Sequence, residues 1–162
     1  MRTYYESKDD LAAEQTAKQC MEDGIAEVLE QRLLGDIQRI ELVKVPVSYR
    51  ADFAAIDHKG DIRGWVEFKS RSFKFGQYDT VMISLSKLIH MRRLGETVGV
   101  PILVIQDCKG ELRYCLLDNL VHGIDVRYQI GGRTVQQRDS ADKEPVAYIE
   151  LAAFKHLGYC PT

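Results

Sequence analysis

Two runs rich in apolar residues, 51–56 and 62–69, flank the turn signal Asp57-His58-Lys59-Gly60-Asp61 and carry Asp52, Glu67 and Lys69 within them. Such runs around a Gly/Asp cluster predict a β-hairpin. Both strands are apolar enough to lie in a core, where Asp, Glu and Lys rarely enter unless they pair or bind metal. With Lys59-Gly60 as the central pair of the turn, Asp52 faces Glu67 directly across the hairpin. Directly opposed side chains have Cβ atoms roughly 5 Å apart, and like charges there destabilise the pair. A divalent cation between them would turn repulsion into ligation, because carboxylate oxygens are the preferred ligands of Mg²⁺. Strand alternation puts Lys69 on the same face as Glu67. This pattern asks for two carboxylates and an ammonium side by side inside a fold.

Charge distribution points the same way. The chain carries a formal net charge of −2, which by itself argues against a nucleic-acid binder. Yet between residues 63 and 93 Arg63, Lys69, Arg71, Lys74, Lys87, Arg92 and Arg93 face only Glu67 and Asp79. The segment that holds the suspected site is the basic part of the protein. Arg92 and Arg93 read as a solvated helix face.

At 162 residues the chain is most simply one domain, 1–162, long enough to bury a core without staples. No apolar run approaches membrane-spanning length, the longest being 100–105. The first residues, Met1-Arg2-Thr3-Tyr4-Tyr5-Glu6, lack the apolar centre of a secretion signal, so a cytoplasmic location is expected. The cysteines (Cys20, Cys108, Cys115, Cys160) are scattered and read as free thiols; with the histidines equally dispersed, a His/Cys zinc site has no support.

A first helix is predicted over 11–34, capped by Asp9 or Asp10 and stopped at Gly35. Its apolar stripe is Ala13, Ala17, Cys20, Met21, Gly24, Ile25, Val28 and Leu29. Glu14 falls inside that stripe and Glu27 at its edge. A strand around 39–45 precedes the hairpin. Residues 70–79 form a polar loop, a second helix spans about 84–96, and 100–105 reads as a strand buried on both faces. Strand, helix and buried strand make a right-handed crossover. The fold class is therefore α/β, an αβββαβ core with a mixed central β-sheet flanked by helices. Beyond it, strands are expected at 112–117, 126–130, 134–137 and 146–149, with a hairpin turn at Gly131-Gly132 and a helical tail at 151–156. The Gly-Gly pair lacks the setting of a phosphate loop.

The order of helix, Asp-bearing strand, Glu-x-Lys strand and crossover helix resembles the PD-(D/E)xK, or restriction-endonuclease-like, nuclease superfamily, over about residues 11–106. The residues that carry the resemblance are Glu14, Asp52 in Tyr49-Arg50-Ala51-Asp52, Glu67-Phe68-Lys69, and Lys87 in Ser84-Leu85-Ser86-Lys87-Leu88. Ala51 stands where the family name would place proline, a position that varies within the superfamily. About 107–162 lies outside the shared core, as a C-terminal β-rich extension.

The resemblance implies a divalent-metal-dependent nuclease, with Asp52, Glu67 and the Phe68 backbone carbonyl holding Mg²⁺ or Mn²⁺. Glu14 would complete the acidic cluster, although a glutamate in the first turns of a helix is also favoured by the helix dipole. Lys69 would orient the attacking water or stabilise charge on the phosphate, and Lys87 would touch phosphate or water. Arg71, Lys74 and Tyr78 interleave with Phe73 and Phe75 in the loop beside the site. That composition suits phosphate contact and base stacking, or simply packs the loop onto the core. DNA is the expected substrate, with RNA left open, in phage or prokaryotic DNA processing, recombination or repair. No membrane partner is expected, and a homodimer would supply the two sites that two-strand cutting needs. Endonuclease, exonuclease and junction resolvase all fit. The main rival reading is a non-catalytic nucleic-acid-binding module that keeps the nuclease fold, and a second is a different α/β protein in which the acidic pair is structural.

Overall fold

The computed structural model describes residues 8–35, 37–132 and 143–161. Helix α1 (Lys8–Leu33) already runs through Asp9 and Asp10, so neither caps it. The strands are β1 (Glu41–Lys44), β2 (Phe53–Ile56), β3 (Ile62–Ser70), β4 (Thr80–Ser84), β5 (Val100–Gln106), β6 (Glu111–Leu116), β7 (Val126–Gly132), β8 (Lys143–Glu150) and β9 (Lys155–Tyr159); helix α2 (Leu85–Thr97) lies between β4 and β5.

Six strands form the central sheet in the order β1-β2-β3-β5-β6-β9, and three form a second sheet, β4-β8-β7. β3 and β5 run parallel, joined through β4 and α2, whereas the other neighbours in the central sheet are antiparallel. This is the mixed α/β sheet of a restriction-endonuclease-like fold. The helical stripe does what its spacing predicts: Ala17, Met21, Ile25, Val28 and Leu29 are buried against Leu42, Phe53, Val66, Phe68, Ile102 and Val104 on one face of the sheet. The opposite face, with Trp65, Leu103, Ile105 and Cys115, packs on Leu88 and Met91 of α2 and on Val81, Ile83, Ala147 and Ile149 of the second sheet. Every residue of β5 is therefore buried. Gly24 makes room for a close approach, since a Cβ there would lie 2.7 Å from the Leu157 side chain of β9.

Several expectations change. β4 has no counterpart in the sequence reading: Val81 and Ile83 turn inward while Met82 faces out, but the partner strand β8 lies more than sixty residues downstream, so no local hairpin pattern marks it. Gly131-Gly132 is not a turn, because β7 continues through both and pairs them with Glu144 and Lys143 of β8. The strand expected at 134–137 lies outside the described residues. The tail keeps only one 3-10 turn, Leu151–Ala153, before becoming β9 on the edge of the central sheet, where pairing with β6 overrides local helical preference. That placement brings Cys160 beside α1. Cys20 and Cys160 are joined in a disulfide, with Cα atoms 5.6 Å apart, so only Cys108 and Cys115 are free thiols. Among the described residues no helix is long and apolar enough to cross a membrane.

Candidate active site

The site begins with the hairpin register. Phe53 pairs with Val66, Ala54 with Trp65 and Ala55 with Gly64. Asp52, one residue before Phe53, therefore stands across from Glu67, one residue after Val66, as expected, although the turn is not centred on Lys59-Gly60: Ile56 pairs with Ile62, one residue out of the expected register. A bulge between Ala55 and Ile56 absorbs the turn, where Gly60 takes φ +86°. The Asp52 backbone N–H donates to the Val66 carbonyl (3.0 Å). Its Oδ2 then accepts the Phe68 N–H at 2.7 Å, so the carboxylate takes over where the backbone ladder stops.

Three carboxylates gather here from three elements, and all are buried: Glu14 of α1 is 4% exposed, Asp52 5% and Glu67 of β3 2%. Burial pushes the Glu67 carboxyl up, and the neighbouring Asp52 charge adds to it. Burial also raises Glu14, together with its hydrogen bond to Asp52, to about 8 against an opposing pull from Lys44. These are the shifts expected when carboxylates are packed together away from water.

Three ammonium groups answer them. Lys69 Nζ lies 3.3 Å from Glu67 Oε1. Lys87 Nζ of α2 lies 3.3 Å from Glu67 Oε2 and donates to the Arg50 carbonyl at 3.0 Å. Arg50 itself adopts the left-handed conformation (φ 54°) two residues before Asp52, and its guanidinium donates to Ser86 Oγ at 2.8 Å. Lys44 Nζ of β1 lies 2.7 Å from Glu14 Oε2 and 3.6 Å from Asp52 Oδ1. The structure thus brings Glu14, Asp52, Glu67, Lys69 and Lys87 together, whereas Glu27 is exposed on the helix. Lys44 was missed. Nothing around it in the sequence is distinctive, and its place follows only from the pairing of β1 with β2, which sets Lys44 opposite Phe53.

The loop after β3 holds the remaining candidates. Arg71 is half-buried, while Lys74 and Tyr78 are exposed. Phe75 is buried beneath the Arg113 guanidinium, 4.4 Å from its ring centre. Phe73 meets Tyr78 edge-on at 5.5 Å. Phe73 and Phe75 therefore pack the loop onto the core. Asp107, buried and not singled out in the sequence, pins this loop by accepting the Phe75 N–H at 3.1 Å and the Lys109 and Glu111 N–H groups at 3.0 Å each. Arg92 is not solvated as expected; its Nε donates to the Leu117 carbonyl at 3.0 Å, and Arg93 is the exposed member of the pair.

The family model described as "Phage putative PDDEXK endonuclease" matches residues 1–157. The chain belongs to this family. No curated protein matches it. The PDDEXK match supports a nuclease in general terms, and nucleases of this kind typically use divalent metals. Among the described residues no three Asp, Glu, His or Cys side chains converge as a ready metal site; the acidic oxygens turn toward lysines instead. The donor chemistry nonetheless fits a hard divalent cation, because Asp52 and Glu67 present buried carboxylate oxygens across the hairpin.

Proposed function

We propose that the protein is a divalent-metal-dependent nuclease that hydrolyses phosphodiester bonds of DNA. The observation that carries the reading is the opposition of buried Asp52 and Glu67 across the hairpin, with Lys69 against Glu67. A domain that only bound nucleic acid would gain nothing from burying two facing carboxylates, which costs stability unless the charge is used. Asp52, Glu67 and the Phe68 carbonyl would hold Mg²⁺ or Mn²⁺, with Glu14 completing the acidic set. The cation, when bound, would polarise the scissile phosphate and favour attack by water. Lys69 keeps a side chain 40% exposed, so its ammonium can orient the attacking water or meet the charge developing on the phosphate. Lys87 braces Glu67 from α2 and can reach phosphate. Arg71, Lys74 and Tyr78 would contact nucleic acid along the loop, and a second copy of the chain would supply the second site for cutting both strands. The family supports a setting in phage DNA processing.

The test is incubation of the purified protein with linear duplex, circular, single-stranded and four-way-junction DNA, and with RNA, in Mg²⁺, Mn²⁺ or EDTA. Metal-dependent cutting supports the reading, and the preferred substrate names its class. Binding without cutting on every substrate would move the assignment to a non-catalytic module.

A further inference from the structure

Around the site three carboxylates (Glu14, Asp52, Glu67) meet three ammonium groups (Lys44, Lys69, Lys87), and the three lysines are not equivalent. Lys87 is held twice, by Glu67 and by the Arg50 carbonyl. Lys69 follows Glu67 on the same strand and pairs with it. Lys44 does something else: its ammonium bridges two carboxylates from different elements, Glu14 of α1 and Asp52 at the head of β2. Both are buried, whereas the Lys44 side chain is 37% exposed and stands on the edge strand of the sheet. A monovalent cation at the end of a flexible four-carbon stem thus sits between the oxygens that a divalent ion would use. Such a stem can swing its ammonium into solvent once another cation takes over the carboxylates it compensates.

We propose that Lys44 is a resident counter-cation of the Glu14–Asp52 pair, which a divalent ion must displace, so that Lys44 sets the metal concentration at which the site loads. The inference rests on the nuclease reading, because it requires Asp52 to be a metal ligand. It gives Lys44 a positioning role: it holds the two carboxylates at the mouth of the site until the stronger cation arrives, and it opposes adventitious loading at low metal concentration. Two cations competing for one pair of oxygens oppose each other, and Lys44, with its side chain 37% exposed on the rim, is the one that can move outward.

The test is a Mn²⁺ titration followed by electron paramagnetic resonance on EDTA-stripped, dialysed full-length protein. Wild type, Lys44→Met, Lys44→Gln, Lys44→Arg and Asp52→Asn are compared, with folding checked by circular dichroism. Removal of the competing charge should tighten Mn²⁺ binding in both neutral Lys44 variants by roughly tenfold. The same variants should melt at lower temperature in EDTA and gain more from added Mn²⁺ than wild type does. Lys44→Gln, which retains a polar head, keeps the test open should Lys44→Met fail to fold. Lys44→Arg, which keeps the charge, should bind no more tightly than wild type. Unchanged or weaker Mn²⁺ binding in folded Lys44→Gln overturns the proposal, even if Asp52→Asn abolishes binding and the nuclease reading stands. No binding to wild type, or binding indifferent to Asp52→Asn, overturns the metal site itself and this inference with it.

Discussion

Glu14 shows how a single side chain carries the consequences of the site. Burial and the hydrogen bond to Asp52 push its carboxyl up to about 8, so between its ordinary value and that point the folded protein holds a proton that the unfolded chain releases. The contribution of Glu14 to stability in EDTA is therefore fully present at low pH and declines as pH rises from its ordinary value toward 8, by an amount on the order of 4 kcal/mol; the raised Glu67 carboxyl acts in the same sense. Urea unfolding at pH 5 and pH 8 should show this loss, and Glu14→Gln should remove most of it. An equal loss in the variant would mean that Glu14 does not carry the proton. At this scale the sequence was informative where a pattern constrained the side chain. Glu14 interrupts an apolar stripe, and Asp52 and Glu67 stand out as carboxylates in two apolar strands flanking a turn signal, although the bulge that sets their final register was not legible. Lys44 and Asp107 were not legible, because each gains its meaning from partners that only the folded chain supplies: Glu14 and Asp52 for one, backbone N–H groups of the 71–79 loop and the β6 turn for the other.

Elements were legible in proportion to how local their determinants are. α1, the hairpin, α2 and β5 follow from periodicity, turn residues and an unbroken apolar run. β4 and β9 exist because of long-range pairing with β8 and β6, and β9 overrides the helical preference of its own lead-in. The end of α1 offers a direct check on local backbone chemistry. Leu34 takes the left-handed conformation at φ 52° while 91% exposed, so it bears a steric cost that no packing offsets. Leu34→Gly should raise stability by about 0.5–1 kcal/mol in urea unfolding. A neutral or destabilising outcome would show that the helix does not end as described.

At the scale of the whole molecule, α1 and the C-terminal segment close on each other. The Cys20–Cys160 disulfide spans a sequence separation of 140 residues, and Leu157 packs where Gly24 leaves space. Cross-linking a long loop chiefly restricts the unfolded chain. Reduction should therefore cost about 2–4 kcal/mol, seen as a lower urea midpoint in dithiothreitol and absent in Cys20→Ser. Four titratable thiols in the protein purified without reductant would contradict the cross-link. The same closure tethers the helix that carries Glu14 to the far edge of the sheet.

The central claim, that the opposed carboxylates and Lys69 perform metal-dependent cleavage, is tested most directly by DNA cleavage in saturating Mn²⁺ by wild type and by folded Lys69→Met. The account predicts cutting by wild type, abolished by EDTA, and a loss of about 10²–10³-fold in rate for Lys69→Met. Equal rates in the two proteins would contradict it.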